Sequence, residues 1–304
     1  MVLTDEPAGA NCAAGGQRVD SGLDDDDSGT LEAGEIDQTS YVCNGVSPAP
    51  PALYVYLANW NGGTAGFDVY DIEADAWIAA ANAPVNVRSQ LASTGKRIRM
   101  VGSDDNIYEY NVTTDSWANL MAAPVAFTTR VMFRVVNEKM YVCQSNTTTL
   151  HVYDGAWTTV TLANNCSIAA GKDESASELY IKTYGNAGFT VIDATTDAVA
   201  RTITDATSTG ENTSSGAYVD GAWYTRNSDG NIFALDSVTG AFTDTGDDPG
   251  GTWNAFYGDS TGGLLYIHSA AGFDAYDPTT GAFTSLTTGP TQGTLGTIAI
   301  TYAW

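Results

Sequence analysis

Positive charge is the scarcest property of this 304-residue chain. Lysine and arginine total 12 against 36 acidic residues, for a formal net charge of −24 at pH 7. Nucleic acids and anionic membranes require a basic face, so neither is expected as a partner. Histidine occurs twice, at His151 and His268, and no Cys-x-x-Cys is present, which weighs against a zinc site. No stretch approaches the ~18 apolar residues of a membrane-crossing helix, so no direct insertion into a bilayer is expected. Met1 to Pro7 carry neither the basic nor the apolar region of a signal peptide. The chain is therefore either cytosolic or a piece of a secreted protein. The cysteines favour the second: Cys12 and Cys43 lie near the N-terminus, Cys143 and Cys166 much further on. Two local disulfides made in an oxidising compartment are the simplest account.

What is present in quantity is a repeated phrase: an aromatic or aliphatic residue, then Asp or Asn, a polar turn, and a large apolar residue. Tyr70-Asp71 leads to Trp77, Tyr110-Asn111 to Trp117, and Tyr153-Asp154 to Trp157. Ile192-Asp193 leads to Val199, Leu235-Asp236 to Phe242, and Tyr276-Asp277 to Phe283. A period near 40 residues in a chain with no helical pattern indicates a β-propeller. Each phrase reads as a hairpin, in which the Asp or Asn side chain accepts a backbone N–H two residues on and starts the turn. The ring that follows is expected to pack between neighbouring sheets. Burying such a ring contributes roughly 4–6 kcal/mol gross, as an upper bound. The repeat is thus structural.

The first 45 residues differ. Asp24 to Glu35 fits the twelve-position EF-hand calcium loop. Asp24, Asp26 and Ser28 take positions 1, 3 and 5, and Gly29 supplies the sharp turn at 6. Thr30 offers its carbonyl at 7, Glu32 ligates at 9 directly or through water, and Glu35 is the bidentate carboxylate at 12. A hard cation needs this convergence of oxygens from one short loop. Ser28 in place of a third acid removes a charge and points to a modest affinity, about 10⁻⁴–10⁻³ M. With its flanking Cys12 and Cys43, the stretch resembles a small cysteine-bracketed, EF-hand-like module of secreted bacterial proteins. That resemblance implies a Cys12–Cys43 bridge around the loop, worth roughly 3–4 kcal/mol in the chain-entropy model. Residues 46–51, with Pro48, Pro50 and Pro51, read as a semi-rigid linker.

Residues 52–304 are expected to form a six-bladed propeller. In the second unit, 88–94 reads as the inner strand, followed by strands at 97–101, 107–110 and 117–120. Small residues are expected on inner strands. The first unit lacks an inner strand, and the C-terminal run 293–300 is expected to supply it and close the ring, which removes open edges. The Tyr-Asp before the turn and the Trp after it resemble kelch-type propellers, although the paired glycines of that family are missing from the second strand of most units. Cys143, on a second strand, and Cys166, at the start of the next inner strand, are either bridged between adjacent blades or free and buried.

For ligands, Arg88 and Arg130 each follow an Ala-Pro-Val phrase and open inner strands. They are candidates for gripping an anionic group, with pairing to nearby Asp as the structural alternative. Trp60, Phe127, Trp253 and Tyr257 are candidates for stacking on sugars, with core packing as theirs. No catalytic set can be identified. The reading is a secreted or surface-displayed recognition or adhesion head that binds a glycan or a surface protein and contains calcium. A carbohydrate-active enzyme and a subunit of a calcium-dependent surface filament, self-associating through the N-terminal module, are the alternatives. Mass measurement before and after reduction tests the cysteines. Reduction should register both bridges; a shift from the N-terminal bridge alone would mean that Cys143 and Cys166 are free.

Overall fold

The computed structural model describes residues 1–304 apart from 8, 10, 13–14, 44–51, 60–66, 174–175, 185–187, 205–215, 220, 227–230, 238, 249–254, 260–262, 270–271, 288–295 and 304. The described residues are all-β, and the chain divides into two compact units, Met1–Pro51 and Ala52–Trp304.

The first unit is a three-stranded antiparallel sheet of β1 (Val2–Glu6), β2 (Gly16–Gly22) and β3 (Ile36–Cys43), in that order. So small a sheet buries little: Cys12 is covered, while Leu3, Tyr41 and Val42 are exposed. Its buried carboxylate, Asp20, is satisfied by the Thr39 hydroxyl at 2.6 Å and by Arg18 Nε at 3.0 Å. The Cys12–Cys43 bridge is formed, with Cα atoms 5.2 Å apart.

The described residues of the second unit form six four-stranded antiparallel sheets, numbered in chain order of their phrases. Sheet one takes Ala52–Asn59, Phe67–Asp71 and Ala76–Ile78 from the start of the unit and Gly296–Ala303 from its end. The late strand runs antiparallel to Ala52–Asn59, from Gly296 opposite Asn59 to Ala303 opposite Ala52. The inner strands of successive sheets neighbour one another in cyclic order, and Gly296–Ala303 lies beside both Ala255–Asp259 of sheet six and Ala92–Thr94 of sheet two.

Alternation along each strand sends side chains to two different neighbours. In sheet three, Met132 and Val136 join the core shared with sheet four, beside Leu179 and Ile181. Val131, Phe133 and Val135 face the other way, into the core shared with Ala92, Val101 and Ile107 of sheet two. This double burial explains why Val131–Val136 is bulky and fully buried, against the expectation of small inner residues. Close approach does need glycine elsewhere. The buried Trp223 ring lies where a Cβ on Gly171 or Gly216 would sit, at 2.1 and 2.0 Å.

The phrase does two jobs. Its first Asp or Asn builds the turn: Asn111 Oδ1 accepts Thr113 N at 2.9 Å, Asp193 accepts Thr195 N at 2.7 Å, and Asp277 accepts Thr279 N at 2.8 Å. Four residues further on the backbone enters the left-handed region, at Asp75, Asp115, Asp197, Gly240 and Gly281. There the aspartates reach the preceding sheet. Asp115 accepts its own Tyr110 hydroxyl and Ala81 N, both at 2.7 Å. Asp75 accepts Tyr70 and, at 2.9 Å, Thr287 N. The outer-strand rings follow the same direction, since Trp117 Nε1 donates to Ala81 O at 2.9 Å and Trp77 Nε1 to Thr287 O at 2.8 Å.

The inner strand of sheet two is shorter than expected, covering Ala92–Thr94 only. Ahead of it the Ser89 hydroxyl takes the place of a ladder carbonyl by accepting Val101 N at 2.8 Å, and Ser89 itself pairs in parallel with Val131.

Deleting residues 290–304 removes the strand that pairs with Ala52–Asn59. The expected outcome is loss of the cooperative thermal transition of the whole second unit, followed by circular dichroism. A truncated chain that stays monomeric and melts as before would refute it.

Candidate metal loop and binding surfaces

The candidate metal loop joins β2 to β3, so strands flank it rather than the helices of an EF-hand. Backbone N–H groups hold its carboxylates facing inward. Asp24 accepts Ser28 N at 3.0 Å and Gly29 N at 2.8 Å, and Asp26 accepts Ser28 N at 3.1 Å. Glu35 reaches back from the end of the loop to accept Asp25 N at 2.9 Å and Glu32 N at 3.0 Å. Gly29 makes the turn at φ 81°. One oxygen each from Asp24, Asp26 and Glu35 lies within 4.8 Å of the others. The remaining expected ligands gather beside them. Ser28 Oγ is 3.2 Å from Thr30 O and 3.1 Å from Glu32 Oε1, which also accepts the Thr30 hydroxyl at 2.7 Å. That last hydrogen bond is the main reason the Glu32 carboxyl sits below its usual range. Three carboxylates this close repel one another, and a donor set made only of oxygen suits a hard cation.

The second bridge, Cys143–Cys166, is formed with Cα atoms 6.6 Å apart, joining the second strand of sheet three to the inner strand of sheet four. The free-thiol alternative is therefore not realised. Two disulfides fit an oxidising, extracellular-type compartment.

Of the six expected ligand residues, the side chains of Arg88, Phe127 and Arg130 are described. Arg88 is a strut: Nη1 donates to Asp105 Oδ1 at 2.7 Å and to Phe127 O, and Nη2 donates to Ser103 O at 2.7 Å. Phe127 is a core residue between sheets two and three, only 3% exposed. Arg130 is partly buried, and burial lowers its guanidinium pKa. Trp60 and Trp253 lie outside the described residues; Tyr257 falls on Ala255–Asp259, with its side chain outside them.

The structure presents a surface that this reasoning missed. Lys96, Arg97 and Arg99 line an open groove of about 720 Å³, with Asn111, Thr113 and Thr114 across from them and Glu138 at its side. Arg97 and Arg99 share the buried Glu109 carboxylate: Arg97 donates to Oε1, and Arg99 Nε to Oε2 at 2.8 Å. Arg99 Nη2 is also 3.7 Å from Glu138. The available signal was the rarity of cations, because three of the chain's 12 fall within the four residues 96–99.

Sheet order, cyclic inner strands and the hairpin repeat define the second unit as a β-propeller, and comparison with solved structures agrees. The chain is similar to one in "Crystal structure of Nidogen/Laminin Complex", with a TM-score of 0.63 and 11% sequence identity, over 81% of this chain and 98% of that one. At that identity the likeness shows the fold alone. Residues 1–43 match the model of a domain family of unknown function, DUF7151. No curated protein matches the chain.

The loop geometry generates a direct test. Calcium at a hundredfold excess over its dissociation constant should stabilise the first unit by about 2.7 kcal/mol. Titration calorimetry should show heat for the wild type and none for Glu35→Gln. An absence of calcium heat in the wild type would eliminate the site.

Proposed function

We propose that this chain is a non-catalytic recognition head: a six-bladed, kelch-like propeller that binds a surface protein, joined to a module whose loop holds a structural calcium ion. The observation that carries the recognition reading is the likeness to a chain from a complex whose title names two proteins, nidogen and laminin. The repeat itself supports it. The described polar groups of the phrase are spent on turns and on ties between sheets, which leaves the loops and grooves for partners. Six four-stranded sheets with cyclically neighbouring inner strands support the blade count. The Tyr before each of several turns, followed by Trp, supports the kelch-like reading.

The calcium reading rests on the convergence of Asp24, Asp26 and Glu35. Ser28, the Thr30 carbonyl and Glu32 would complete the oxygen set. The ion would neutralise the loop and fix the end of a sheet too small to be held by its core. The two disulfides support a secreted or cell-surface location.

Probing arrays of extracellular proteins and of glycans with the purified chain tests recognition. Saturable protein binding without turnover is expected. Binding confined to glycans would overturn the protein-partner reading, and turnover of a bound glycan would establish an enzyme instead.

A further inference from the structure

An anionic partner approaching a chain of net charge −24 is repelled by most of its surface. Among the described residues, the groove at Lys96, Arg97 and Arg99 gathers three of the chain's 12 cations within four positions. Lys96, Arg97 and Arg99 line it together, with the Glu109 carboxylate beneath and Glu138 beside them. Glu109 is buried and serves both arginines, one through each oxygen. A guanidinium carries five N–H donors, of which one carboxylate oxygen occupies few. The Arg97 side chain is 51% exposed, while that of Arg99 beneath is 14% exposed. Glu109 thus fixes the position of Arg97 without covering it. This arrangement suits two-point gripping of an incoming carboxylate.

The rest of the groove narrows the class of ligand. Asn111, Thr113 and Thr114 add an amide and hydroxyl groups on the turn of the second phrase, and the lining has no aromatic ring among the described residues. A sugar chain would lack a face to stack on, whereas an extended peptide finds donors and acceptors for its backbone. We propose that this groove binds an acidic polypeptide segment of the partner, its carboxylates meeting Arg97 and Lys96. The inference rests on the recognition reading and adds the surface and the chemistry of the partner.

Fluorescence polarisation of a labelled oligo-glutamate peptide with the full chain tests it. Binding should weaken as salt rises. The double substitution Lys96→Gln/Arg97→Gln should weaken it by about tenfold or more, the equivalent of ~1.4 kcal/mol. Glu138→Gln removes the opposing charge at the rim and should tighten binding, a change that a purely structural role would not produce. Unchanged melting of each variant by circular dichroism guards against misfolding. The proposal is overturned if the peptide does not bind at low salt, if the double variant binds it equally well, or if an anionic polysaccharide binds there and the peptide does not. The two readings fail separately. A protein partner that binds wild type and double variant alike removes the groove and leaves recognition standing. An array with no protein hit, alongside groove-dependent peptide binding, does the reverse.

Discussion

A carboxylate held at a left-handed backbone position ties each of several sheets to the one before it. Asp115 and Asp75 show the arrangement in full, each accepting a tyrosine hydroxyl of its own sheet and a backbone N–H from the preceding connection. Asp197 varies it, accepting Tyr141 at 2.7 Å and Lys139 Nζ at 2.9 Å from sheet three. In sheet six glycine occupies the turn, and the carboxylate comes from the other side: Asp247 accepts the Tyr276 hydroxyl at 2.7 Å and lies 3.2 Å from where a Gly281 Cβ would be. Burial, and then the hydrogen bond to Asp247, push Tyr276 up to about 12, so the phenol stays protonated as donor. Asp75 is held below its usual range first by its hydrogen bond from Tyr70. Its tie is therefore fully made above the pKa of the unfolded chain and is lost as acid protonates it.

The fold was legible because the hairpin chemistry is local. A Tyr-Asp, a short polar turn and a Trp specify two strands and their direction, and six copies specify an array. The pairing of the C-terminal strand with Ala52–Asn59 followed from counting strands, with its bounds three residues later than the sequence indicated. The role of the second aspartate was not legible, because the partner that makes it a tie comes from the previous repeat. The inner strand of sheet three defeated the small-residue expectation for the same reason, since its bulk is set by two neighbouring cores.

The candidate sites divide along similar lines. The metal loop is contiguous, and its twelve-position spacing is visible in one line of sequence; that strands rather than helices flank it is not. Arg88 looked like a binding residue because, like Arg130, it follows an Ala-Pro-Val phrase. Its partners Asp105, Ser103 and Phe127 lie on two other loops, and they turn it into a brace. Lys96, Arg97 and Arg99 acquire meaning only when Glu109, from the next strand, and Glu138, from a turn of sheet three, are seen beside them.

The antiparallel pairing of Ala52–Asn59 with Gly296–Ala303 has a mechanical consequence. Ala52 and Ala303 are opposite each other at one end of the ladder. A force that draws these two residues apart loads the backbone hydrogen bonds one rung at a time, as in a zipper, rather than all together in shear. The joint that completes the first sheet is thus also the seam along which tension would open the unit. The unit would bear load better tethered through one end of this pair than through both.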